Sequence, residues 1–251
     1  MKNTLPAPIM LSLLGYLCLA GCRPASSSAI GDSVLMTDLG PEGNAHTEKQ
    51  VQALQTQLGS GFVQENGRRR VLLTGFNPFQ GGSQNISGDL VSHMESQGQG
   101  NAERRQVEGA VVTRREMVIN SETIDAYYLR ADTNYTSPAL IHAAAAQIQP
   151  DRMLSFGQSS RTQIEHGGSN NANTQVAGYD RQGKVSPLMN SSTRVDELDD
   201  ALSTTKPTWD PEAIRQSTGF PLSDGARPQN NYICNATEYT MQKSLTGNPI
   251  Q

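Results

Sequence analysis

At 251 residues the chain has room for one domain of ordinary size built on a single core. Its 20 Lys and Arg stand against 24 Asp and Glu, and the longest run of like charge is Arg68-Arg69-Arg70, so nothing asks for a nucleic-acid partner. Aromatic residues make up 5% of the chain, which implies a modest core under a surface rich in neutral polar groups, a profile that fits an exported protein.

The first element in chain order is a targeting segment. Lys2 precedes an apolar stretch from Ile9 to Ala20 that is too short for a spanning helix. Leu19-Ala20-Gly21-Cys22 then sets small residues before a cysteine, the pattern that a lipoprotein signal peptidase cleaves ahead of a lipid-modified thiol. A signal peptide over 1–21 and lipid on Cys22 are therefore expected, with the protein held in the cell envelope. Arg23 stands where an aspartate would retain it at the inner membrane, so an outer-membrane anchor facing the periplasm is expected. Each buried methylene of such an anchor contributes about 0.8 kcal/mol, enough for stable attachment.

Residues 22–67 are poor in large apolar side chains and read as a tether, although Val51, Leu54 and Leu58 share one face of a short helix. Order is expected from 68 to 251. A strand over 69–76 carries the unbroken apolar run Val71-Leu72-Leu73, as expected of a strand covered on both faces. A Gly-, Pro- and Asn-rich loop leads to Ser87, a plausible N-cap for a helix with Leu90, Val91 and Met94. A second strand region is read over 107–119, a helix over 137–149 and a third strand over 152–156. This alternation predicts an α/β fold, a single three-layer domain with a largely parallel sheet. Residues 157–231 are polar and weakly patterned, with Pro207 and Pro211 as punctuation; 231–245 reads as a helix opening near Cys234.

Three segments carry candidate chemistry. Thr74-Gly75-Phe76-Asn77-Pro78-Phe79-Gln80-Gly81-Gly82 sits at the carboxyl end of the first strand, where open α/β sheets place ligands. Its two phenylalanines read either as apolar walls for a small flat ligand or as a plug beneath the loop. Gly157-Gln158-Ser159-Ser160-Arg161-Thr162-Gln163-Ile164-Glu165-His166 again follows a strand, and its glutamate can orient a base or bind substrate. With His46, His93 and His142 elsewhere and none at ligand spacing, no metal is expected at His166, and no cofactor is called for.

The third segment holds Cys234. Cys18 leaves with the signal and Cys22 is capped by lipid, so the mature domain keeps this one thiol. At a helix N-terminus, unsatisfied N–H groups and the dipole favour its thiolate, the setting of a nucleophile; the competing reading is a small buried hydrophobe.

Taken together and in this order, these segments resemble the pyroglutamyl peptidase I (pyrrolidone-carboxylate peptidase) family of cysteine peptidases, from about Val71 to Tyr239. The family's T-G-F-x-P-F-G-G is matched at Thr74 to Gly82 with Gln80 inserted; its G-Q-A-G-G-R and following glutamate resemble Gly157-Gln158, Arg161 and Glu165. Its Y-x-C-N before a tyrosine is similar to Tyr232-Ile233-Cys234-Asn235 and Tyr239. The resemblance implies an α/β/α fold, Cys234 as nucleophile with Glu165 in the catalytic set, and Phe76, Phe79 and Gln158 as substrate-binding residues. It implies removal of N-terminal pyroglutamate from peptides through an acyl-enzyme.

The departures are as specific. Such chemistry relays protons through a histidine oriented by a carboxylate, and the family's histidine lies beyond the cysteine, yet no histidine follows Cys234. The domain therefore reads as a C-terminally short form. His166 follows Glu165 directly, so on an extended segment the two side chains diverge. Ala177 stands where the family has an arginine that helps hold the oxyanion, and Asn230-Asn231 replaces an Ala-Gly pair. Two expectations follow: a cysteine-type omega peptidase impaired by the missing histidine, or a catalytically inactive, lipid-anchored binding protein of the same fold. A structural envelope lipoprotein is a third, and leaves Phe76, Phe79 and Cys234 together unexplained.

Overall fold

The computed structural model describes residues 40–59, 61–63, 67–78, 83–158, 163–166, 210–224 and 233–245. The segment expected to be a signal peptide and Cys22 lie outside them.

The chain enters through helix α1 (Gly40–Gly59), within the segment expected to be a tether. The spacing of Val51, Leu54 and Leu58 is what folds it: all three are buried in the main core together with Phe62. Phe62 meets Tyr127 edge-on with centroids 5.7 Å apart, and Arg105 lies 5.1 Å above its ring. Residues 40–59 thus belong to the folded domain, because one well-spaced apolar stripe finds a core to cover even in an otherwise polar segment.

Strand β1 (Arg70–Phe76) lies inside a five-stranded sheet with order β2-β3-β4-β1-β5. It pairs in parallel with β4 (Glu122–Ala131) on one side and β5 (Arg152–Ser155) on the other. Leu72 and Phe76 point to one face of the sheet and Leu73 to the opposite face, each into a buried cluster, which accounts for the unbroken apolar run. β2 (Gln99–Val107), β3 (Ala110–Ile119) and β4 form an antiparallel meander. The region read as one strand over 107–119 is therefore the end of one strand, a turn and the whole of the next. Gly109 turns at φ +86°, and Asn120-Ser121, both at positive φ, make the two-residue loop into β4. The sheet is mixed, parallel around β1 and antiparallel toward the β2 edge.

Helices lie on both faces, giving three α/β/α layers. α1, α3 (Ser137–Ile148) and α5 (Ile233–Leu245) share the main core with Leu72, Tyr127 and Leu129. α2 (Ile86–Ser96) covers the other face, where Val91 and Met94 pack with Leu73 and Tyr128. The N-cap of α2 is Asn85 rather than Ser87: the Asn85 side chain accepts from Ser87 N at 3.1 Å. Ser87 instead accepts from the Phe76 amide at 3.1 Å and so ties the helix to the end of β1. Two glycines allow that closeness. A Cβ on Gly75 would stand 2.5 Å from the Ser87 carbonyl oxygen, and one on Gly88 would stand 2.2 Å from that of Phe76. In the weakly patterned region, α4 (Pro211–Thr218) and a parallel pair of short strands, β6 (Ile164–His166) and β7 (Leu222–Asp224), complete the described elements.

Candidate functional site

Three chain segments converge at the carboxyl ends of β1 and β5. After β5 the backbone continues its pairing, Phe156 N donating to the Thr74 carbonyl at 2.8 Å, and reaches Gly157. There the first turn of α5 lies directly against it: a Cβ on Gly157 would be 2.6 Å from Cys234 Sγ and 3.2 Å from Cys234 Cβ. Only glycine admits the thiol at this spot. Gln158 then joins two elements, its main-chain N–H bonding the Cys234 sulfur while its side-chain Oε1 accepts from Ile86 N at 3.3 Å at the start of α2. Cys234, Gly157 and Gln158, read from distant parts of the sequence, are brought together.

Glu165 arrives on β6, close enough that its charge acts on Cys234. It is half-buried and accepts from Gln163 Nε2 at 3.2 Å. Its charge also acts on Glu238, a residue the sequence reading passed over. The available signal was spacing: Glu238 follows Cys234 by four residues on a helix and shares its face.

The electrostatics of the thiol run against the expectation from its helix position. Burial pushes Cys234 up to about 11, and the nearby Glu165 carboxylate pushes the same way. The N–H groups of Gln158 and of Cys234 itself pull down, and they lose. A helix N-terminus stabilises an anion only to the extent that nothing removes its solvent or sets a like charge beside it. Burial likewise raises Glu238 to about 7, against the lowering effect of the hydrogen bond from Gln242 and aided by Glu165.

Phe76 is 2% exposed and sits in the main core beside the carboxyl end of β1. Phe79 lies outside the described residues, as do Arg161, Ala177 and Asn230-Asn231, and the side chain of His166. The start of the 77–82 loop is firmly anchored. Asn77 Nδ2 donates to Asp132 Oδ1 at 2.7 Å, Asn85 Nδ2 donates to the Asn77 carbonyl at 3.1 Å, and Thr133 Oγ1 donates to that same carbonyl. Among the described residues no three His, Cys, Asp or Glu side chains converge as metal donors, and no helix is long and apolar enough to cross a membrane.

Fold and site together define a class: a three-layer α/β protein whose thiol and carboxyl groups gather at the carboxyl edge of its sheet. No protein-family model, curated protein or solved structure matches the chain.

Proposed function

We propose that this chain is a cysteine-type omega peptidase that removes N-terminal pyroglutamate from peptides, held in the cell envelope by lipid on Cys22. One observation carries the reading. The Cys234 sulfur is seated against Gly157, with the Gln158 N–H on it and the Glu165 carboxylate nearby, so the sulfur, an N–H donor and an acid group share one corner. These are the residues on which the sequence resembles pyroglutamyl peptidases. In the reaction, sulfur bonds to the acyl carbon, the C–N bond to the peptide breaks, the amine leaves with a proton and water hydrolyses the acyl-enzyme. No cofactor takes part.

A second reading, a lipid-anchored binding protein that holds pyroglutamyl or similar termini without cleaving them, is favoured by the thiol itself. A cysteine near 11 is ionised to only about one part in ten thousand at pH 7. Release of a fluorescent amine from a pyroglutamyl substrate, measured beside Cys234→Ala, separates the two. Turnover lost in the variant supports the peptidase; none above the variant, in protein shown by circular dichroism to be folded, overturns it in favour of the binding protein.

A further inference from the structure

We infer that Gln158 is a positioning residue: its side chain is a strut from the first turn of α2 that holds the backbone beside the Cys234 sulfur in place. The inference rests on the peptidase reading of that corner and deepens it, since the resemblance implies a substrate contact for the same side chain. Ile86 is the first residue of α2, so its N–H is among the four that a helix leaves without an intrahelical partner. Gln158 Oε1 accepts from it at 3.3 Å, while Asn85 Oδ1 accepts from the next, Ser87 N, at 3.1 Å. The cap of α2 is therefore built half from its own sequence and half from a residue 72 positions further on.

A strut works only if its far end is fixed, and α2 is fixed at that end. Phe76 N donates to Ser87 Oγ at 3.1 Å and Asn85 Nδ2 to the Asn77 carbonyl at 3.1 Å, both across to the end of β1. Gly75 and Gly88 let the two elements touch backbone to backbone. On the near side, Phe156 N donates to the Thr74 carbonyl at 2.8 Å, so the chain is tied to β1 just before Gly157 and to α2 just after it. Between the two ties a Cβ on Gly157 would stand 2.6 Å from Cys234 Sγ, and the Gln158 N–H bonds that sulfur. Gln158 is exposed, so water competes for every polar group it offers. An N–H stabilises the anion formed when S–H ionises only while it stays aimed at the sulfur. By fixing one side-chain oxygen, the fold holds that donor on the sulfur in advance of any reaction.

The test breaks the strut from its far end and leaves Gln158 intact. Proline suits the first helical position, and Asn85 before it, at φ −136° and ψ 116°, already holds the extended conformation that a following proline requires. Ile86→Pro therefore deletes the N–H; the side chain it replaces is 65% exposed, and Ile86→Ala, which keeps the N–H, controls for its loss. Hydrogen exchange of the Gln158 amide in the purified full chain is followed by NMR. One hydrogen bond shifts a local equilibrium about two- to tenfold, so exchange in Ile86→Pro is expected to quicken by that factor, with Ile86→Ala at the wild-type rate. Gln158→Met, of similar length but with no oxygen, is expected to match Ile86→Pro when each rate is taken relative to an unstructured peptide of the same sequence. An unchanged Gln158 amide in Ile86→Pro overturns the inference and leaves Gln158 as a cap of α2 alone; equal quickening in Ile86→Ala overturns it too. Amine release from the pyroglutamyl substrate, followed on the same samples, decides the peptidase reading separately. With turnover in the wild type, Ile86→Pro is expected to lower kcat about two- to tenfold and to leave KM within about twofold. A raised KM at unchanged kcat in Gln158→Met assigns the side chain to substrate and overturns the strut. A silent wild type sinks the peptidase, and the exchange result then decides the strut by itself.

Discussion

His142 offers a prediction with a sign and a size. It sits in the middle of α3, 2% exposed, and its Nδ1 has no hydrogen-bond partner. Burial pushes it down to about 4, against an ordinary value near 6.5. In the unfolded chain the imidazole takes a proton near pH 6.5; in the folded chain it refuses one until the pH approaches 4. Between those values the unfolded state binds more protons, so the folded state loses stability as pH falls through 6.5, and the loss levels off below 4. From pH 7.5 to pH 4.5 this amounts to about 2.5 kcal/mol. Many carboxylates lose their own contributions over the same range, so the measurement is a difference. Urea unfolding of the wild type and of His142→Leu at both pH values cancels what they share. The variant is expected to gain about 2.5 kcal/mol on the wild type in going to acid. Equal acid losses in the two proteins would refute the reasoning, since they would place the imidazole where it exchanges protons with solvent.

Two further perturbations probe the site and the boundary of the domain. Gly157→Ala puts a methyl group 2.6 Å from Cys234 Sγ, so the first turn of α5 must shift. Overpacking of this kind costs about 1–3 kcal/mol, and loss of the Gln158 N–H contact is expected to slow alkylation of Cys234 at pH 8; wild-type stability together with a wild-type rate would contradict the close approach. Leu54→Ala in α1 is expected to cost about 2–5 kcal/mol in urea unfolding, whereas a cost under ~0.5 kcal/mol would mean that 40–59 is a tether after all.

Where the sequence carries a local rule, it was legible. The run Val71-Leu72-Leu73 gave β1, the alanine-rich stretch before Pro150 gave α3, and the helix at Cys234 begins one residue from that cysteine. The alternation of strands and helices gave the α/β class. The meander was harder to see, because β2 is an exposed edge strand rich in charge and β3 carries Arg114 and Arg115 within it. Its turns, Glu108-Gly109 and Asn120-Ser121, are not among the dipeptides that most strongly mark a hairpin, although Gly109, Asn120 and Ser121 all take positive φ. α4 announces itself through Asp210, which accepts from Glu212 N at 3.0 Å and from Ala213 N at 3.2 Å, followed by Pro211 at the first helical position; reading Pro211 as punctuation alone missed it. At the site, the convergence of Gly157 and Cys234 is tertiary and no local pattern carries it. The direction of the thiol shift was beyond reach for the same reason: the helix dipole belongs to the local sequence, while burial and the neighbouring Glu165 belong to the assembled fold.

The docking of α1 onto α3 also sets an order of events at the ribosome. Val51, Leu54 and Leu58 are made early, but the helix that covers them is complete only at Ile148, roughly 90 residues after Gly59. At synthesis rates of ~5–20 residues per second, that face waits about 4–18 s for its counterpart. For that interval the apolar stripe of α1 lacks its final cover, and it is buried only when a helix made much later docks onto it.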